Sequence, residues 1–147
     1  MAQPLRRDVA VRVADPRARI VVRTRGPAYH AYLLLYAAFI VAPLIAGIDK
    51  FFDVLAPWHN YLAPAIVQIL PIAPQTFMMA VGVVEIIAAL VVAARPSIGG
   101  YVVAFWLWGI IVNLLLARGH YDIALRDFGL SLGALALANL ALQFERH

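Results

Sequence analysis

Four apolar stretches, each about twenty residues long, constrain this chain more than anything else in it. They run from about Tyr29 to Ile48, Gln75 to Ala94, Ser97 to Ala117 and Ala124 to Phe144. A helix rises about 1.5 Å per residue, so each stretch covers the roughly 30 Å hydrocarbon core of a bilayer. The chain has 147 residues, 64% of them hydrophobic and 14% charged. A soluble interior of that size is too small to hide so much apolar surface. In lipid, backbone polar groups need internal partners, which favours helices for such stretches. The chain reads as an all-α integral membrane protein built as a bundle of four transmembrane helices.

Most of the charge lies outside or between those stretches. Residues 1–27 form an arm rich in arginine, with Arg6, Arg7, Arg12, Arg17, Arg19, Arg23 and Arg25 against Asp8 and Asp15. The formal net charge of +4 therefore belongs to one segment and is no sign of nucleic-acid binding. Such an arm fits a cytoplasmic segment on anionic lipid, or one that docks on another subunit. With the N-terminus inside, the inner side holds the seven arm arginines plus Arg95 and Arg146, against Lys50, Arg118 and Arg126 outside. That bias predicts both termini in the cytoplasm and a multi-pass protein of a bacterial-type inner membrane. Residues 28–147 make up the membrane domain.

The first stretch is long for a signal peptide, and no small-residue cleavage site precedes "DKFF", so it reads as a retained helix bent at Pro43. Residues 49–74 are no span. Prolines at 57, 64, 71 and 74, with Trp58 and Tyr61, fit a short interfacial or re-entrant segment between the first two helices. The link between the second and third spans is short enough to make them an antiparallel hairpin. There is no internal repeat.

Cysteine is absent, which excludes disulfides, thiolate metal sites and thiolate-held iron–sulfur clusters. His30, His59, His120 and His147 are scattered, with no pair at one-turn spacing on a span, so no metal site is expected. His120, Tyr121 and Asp122 lie in a loop that is either solvated or lines an outer pocket.

The charged groups near the spans carry most of the functional signal. Glu85, in "GVVEIIAAL", sits near the bilayer midplane, where a carboxylate must be protonated or paired. Lys50 ends the first span beside Asp49, Asn113 lies near the outer end of the third, and Arg126 and Asp127 open the fourth. All but Glu85 fall in the outer half. A snorkelling Arg126 is the expected cation for Glu85, with Asp127 left to Lys50 or to the helix N-terminus. The set is either a buried ion-pair lock between helices or a ligand or proton site, with Glu85 and Arg126 the catalytic candidates. Gly129 and Gly133 form a GxxxG, continued by Ala134 and Ala138, and Ala38, Ala42 and Ala46 form a similar row. These rows let helices pack closely, inside the bundle or against a partner. Trp106 and Trp108 are either packing aromatics or a stacking surface for a ring.

The residues "GIDKF" (Gly47, Asp49, Lys50, Phe51) and "GVVEIIAAL" (Gly82, Glu85), with a closing helix entered by a polar stretch, resemble the DoxX-like family of small four-helix membrane proteins. The resemblance covers about residues 35 to 142 and leaves out the arm. It implies redox chemistry at a membrane: family members include a subunit of a thiosulfate:quinone oxidoreductase and membrane partners of oxidative-stress enzymes. It also implies that Lys50 pairs with Glu85. The long arm, the proline-rich loop and the lack of cysteine depart from the pattern.

Three functions follow. The first is an accessory membrane subunit of a redox or respiratory complex, docked on other membrane-protein subunits through its arm and helix faces, non-catalytic alone and without an intrinsic cofactor. The second is a quinone-linked oxidoreductase subunit, with a bound quinone, Glu85 moving the proton and Arg126 or Lys50 polarising a carbonyl. The third is a carrier for a small anion or lipid.

Overall fold

A computed structural model describes residues 26–145. The seven arm arginines and residues 146–147 lie outside the described residues. Four helices are long and apolar enough to cross a membrane: α1 (Pro27–Asp49), α3 (Pro74–Ala94), α4 (Pro96–Ala117) and α5 (Tyr121–Phe144). Between α1 and α3 lie a single 3-10 turn, Trp58–Tyr61, and the short helix α2, Pro64–Ile69. Each predicted span is present, and each helix starts a little earlier than its apolar run. The reason is chemical for α1, α3 and α4: a proline opens each of them, where its missing N–H costs nothing. Helix α1 continues as one helix through Pro43.

The helices pack in ring order: α1 against α3, α3 against α4, α4 against α5, and α5 back against α1. Connections α3–α4 and α4–α5 are tight. Arg95 alone separates the first pair. Gly119 supplies a positive φ of 136° in the second, beside Arg118 at 50°. One end of the bundle therefore carries the start of α1, the α3–α4 turn and the end of α5. The opposite end carries the 50–73 loop and the α4–α5 turn.

Size sorting runs opposite to that of a soluble protein. The buried interior is made largely of alanine (Ala88, Ala89, Ala104, Ala134, Ala138 and Ala141) around Phe39, Val92 and Leu137. Large side chains such as Leu34, Leu90, Phe105 and Leu125 point outward. With lipid as solvent there is no gain from hiding leucine, whereas small residues let backbones approach. Gly100 shows the result, since a Cβ there would meet the Ala134 carbonyl at 2.6 Å and the Ala138 amide at 2.8 Å. The Ala134/Ala138 row is thus internal packing. In the GxxxG only Gly133 is used, against the Phe39 ring, while Gly129 faces open space. Ala38 and Ala42 are exposed on the outside of α1.

Candidate site: a charge cluster at mid-depth

Glu85 lies about 16 Å along α3 from Pro74 and about 14 Å from Ala94, near the middle of the span. Its partner is Lys50, whose Nζ donates to Oε2 at 2.6 Å, and the two side chains are only 5% and 8% exposed. Lys50 is the C-cap of α1, so α1 stops level with the middle of α3. That offset is absent from any count of apolar residues. It brings the end of the first span to the depth where the expected geometry had only Glu85.

Two glycines set the meeting. Gly47 and Gly82 each precede their charged residue by one helical step of three, and they touch each other. A Cβ on Gly82 would sit 2.5 Å from the Gly47 carbonyl oxygen, and one on Gly47 would sit 2.7 Å from that of Gly82. Helices α1 and α3 thus cross backbone to backbone, and the next residues on those faces, Lys50 and Glu85, are forced together.

Stopping α1 at mid-depth leaves the outer half of its column to be filled by loop. The 3-10 turn packs against α3 and α4 there. Loop amides at such depth need acceptors, and Asp49 supplies them. Its carboxylate accepts from Val54 N at 3.1 Å, from Leu55 N at 3.0 and 3.1 Å, and from the Trp58 indole at 2.7 Å. Trp58, so held, lies over Lys50 with Nζ 3.8 Å from the ring centroid, a cation–π lid on the ion pair. Asn113 of α4 clamps the far side of the loop, accepting from Ala63 N at 2.9 Å and donating to the Tyr61 carbonyl at 2.7 Å. Asp53, at φ 52°, accepts from Gln75 at 3.0 Å and ties the loop to the start of α3.

The expected Arg126–Glu85 pair does not form. Arg126 points outward, 66% exposed, and its Nε donates to its neighbour Asp127 at 3.3 Å. Successive residues on a helix point about 100° apart, so a buried Asp127 dictates an outward Arg126. Asp127 pairs neither with Lys50 nor at the helix N-terminus, although it lies within electrostatic range of both Lys50 and Glu85. Trp106 of α4 completes the cluster. Its indole N–H is buried without a hydrogen-bond partner and borders the Glu85 carboxylate. Trp108 instead donates to Ser131 at 3.1 Å, joining α4 to α5.

Of the six residues expected to cluster, the structure joins Lys50 to Glu85, leaves Asp127 buried within electrostatic range of both, sends Asp49 and Asn113 to the loop, and turns Arg126 outward. Trp58 and Trp106 were missed as members. No sequence periodicity connects Trp58 to Lys50, because the loop between them is irregular. Trp106 was visible only as an aromatic in the middle of a span. His120 packs against Tyr61 with ring centroids 4.9 Å apart and planes tilted by 58°, so it packs on the loop. No group of three or more metal-ligating side chains converges among the described residues.

Fold and site together define a multi-pass membrane protein, a bundle of four spanning helices around a buried Lys–Glu pair. Comparison with family models, with curated proteins and with solved structures gave no match to this chain.

Proposed function

We propose that this chain is an accessory integral-membrane subunit of a redox or respiratory membrane complex, docked through its N-terminal arm and helix faces. The observation that carries this reading is where the buried charges go. Lys50 and Glu85 satisfy each other under Trp58, and Asp49 and Asn113 are occupied with loop amides and carbonyls. Charges placed this way fix helix register and loop position. The exposed Ala38 and Ala42 on α1 allow a foreign helix to come close, and the resemblance to DoxX-like proteins supports a redox setting. The excess of arginine at the terminal side supports a cytoplasmic arm in a bacterial-type inner membrane.

The test is purification of the tagged native chain in mild detergent from its own membranes, with mass spectrometry and an absorption spectrum of the eluate. Stoichiometric co-elution with haem- or quinone-bearing subunits is expected, and so is loss of that association on deleting residues 1–25. A chain that elutes alone overturns the reading.

One observation favours a second reading, a quinone-linked subunit or a small carrier. Asp127 is a buried carboxylate with one stretched bond to an exposed arginine, and Trp106 offers an unused donor nearby. A proton would satisfy the carboxylate, and a ligand carbonyl would accept from the indole N–H. In that case Glu85→Gln or Asp127→Asn stops turnover or transport in a chain that still folds.

A further inference from the structure

At the end of the bundle that carries the start of α1 and the end of α5, a polar cavity of about 410 Å³ opens between three elements. Tyr32 and Tyr36 of α1 form one wall, the α3–α4 turn with Arg95 and Ser97 another, and Glu145 just past α5 the third. Helices α3 and α4 meet in a turn here, so the cavity sits where a bilayer's headgroups lie.

Its chemistry is that of a zwitterion's complement. Arg95 is exposed, and its side chain has no hydrogen-bond or ion-pair partner among the described residues. Glu145 is held in place by Ser97, whose backbone N–H donates to Oε1 at 3.0 Å and whose hydroxyl donates to Oε2. A carboxylate has about four acceptor sites, so each oxygen keeps capacity for a further donor. Tyr32 and Tyr36 stack with centroids 5.8 Å apart, and both line the cavity together with Glu145. Tyr36 is fixed by donating its hydroxyl to the Ala93 carbonyl at 2.8 Å.

A purely anionic ligand would meet Glu145, and a purely cationic one would meet Arg95. A ligand carrying a phosphate and an ammonium meets neither penalty. The cavity also has a neighbour. An apolar groove of about 640 Å³ runs between α3 and α4, lined by Val84, Ile87, Val91, Val102 and Phe105. Ile98 lines both spaces. From Ile98 to Phe105 the groove follows α4 for about 10 Å toward the bilayer centre.

We propose that these two spaces form one binding site for a phospholipid whose headgroup bears a primary ammonium. The phosphate sits on Arg95, the ammonium donates to Glu145 beside the tyrosine rings, and one acyl chain lies in the α3–α4 groove. A primary ammonium donates hydrogen bonds, whereas a trimethylated one has none to give, so the site discriminates between them. This site is remote from the Lys50–Glu85 cluster and stands whether or not the chain joins a complex.

The full chain, delipidated in mild detergent, would be titrated with dioleoyl phosphatidylethanolamine, phosphatidylcholine or phosphatidylglycerol and read by native mass spectrometry. One phosphatidylethanolamine per chain is expected, retained roughly tenfold better than the other two, the scale of one charge-assisted hydrogen bond. Glu145→Gln should remove that preference, whereas Arg95→Gln, which loses the contact to the phosphate common to all three, should lower retention of every lipid. Ile98→Trp, which plugs the junction, should lower retention of all three lipids while leaving the melting temperature of the lipid-free chain near the parent's. Better retention of phosphatidylglycerol, equal retention of phosphatidylcholine, an unchanged preference in Glu145→Gln, or unchanged retention in Arg95→Gln overturns the proposal. If a charge variant fails to fold, the three-lipid ranking on the parent chain and on Ile98→Trp still decides.

Discussion

Among the described residues two ion pairs lie in the charged layer of this bundle, and they are built on opposite principles. Lys50 and Glu85 lie 35 positions apart in sequence, on different helices, at 2.6 Å with both side chains enclosed. Arg126 and Asp127 are neighbours on one helix, at 3.3 Å, with the cation in the open and the anion inside. The first pair was made by two backbones crossing at Gly47 and Gly82 and is sealed by Trp58. The second was made by adjacency alone, and helix geometry keeps its members on different faces. The difference teaches that in a membrane interior a charge is tolerated where the backbone delivers its partner, and that a nearby opposite charge in sequence is a poor substitute.

The sharpest way to break this comparison is to remove half of the enclosed pair. Lys50→Met or Glu85→Gln leaves one buried group without its mate, which costs about 3–5 kcal/mol in comparable buried pairs. Replacing both, as Lys50→Met with Glu85→Leu, removes the charges together and should recover most of the loss, since an apolar pair of similar volume often does as well. Reversible unfolding in mixed micelles, followed by tryptophan fluorescence, measures all three. A Glu85→Gln chain as stable as the parent shows that the pair is no lock, and attention then passes to a protonated Glu85.

The second prediction concerns the crossing that makes the pair. Gly82→Val puts branched carbon where a single Cβ already lies 2.5 Å from the Gly47 carbonyl. Overpacking of this kind costs about 1–3 kcal/mol, because the helices must move apart. It should also weaken Lys50–Glu85, read as a smaller coupling energy in a double-mutant cycle performed in the Gly82→Val background. Gly129→Ala is the control: its Cβ meets nothing within 4 Å, so the change should be neutral or slightly stabilising. Equal damage from both glycine changes would mean that helix crossing has nothing to do with the pair.

These contrasts also mark how far the sequence could be read. The four spans were legible because bilayer thickness fixes their length, and Glu85 was legible because a carboxylate stands out in the middle of an apolar run. The offset of α1 against α3 was not. Apolar length alone gives each span the same depth, and only the Gly47–Gly82 contact shows that α1 ends at the level of Glu85. That is why Arg126, placed by counting from the outer surface, looked like the cation within reach. Asp49 and Asn113 were legible as polar groups in costly places, but their roles depend on where loop amides emerge. No periodicity in residues 50–63 encodes that. Trp58 illustrates the same limit, since an interfacial tryptophan and a lid on a lysine have the same local sequence.

The smallest effect should come from the exposed pair. With two-thirds of its side chain exposed and its bond to Asp127 long, Arg126 contributes in the manner of a surface ion pair, and Arg126→Ala should cost below about 1 kcal/mol. Asp127→Asn goes further. The buried carboxylate gains little from an outward guanidinium, and an amide in its place carries less desolvation cost, so this variant should match or exceed the parent in stability. The ratio matters more than either value: truncating Lys50 should cost several times what truncating Arg126 does. If the two losses are equal, Arg126 reaches inward in the bilayer to share Glu85 or Asp127. The contrast between a backbone-delivered pair and an adjacent one then gives way to a single network across α1, α3 and α5.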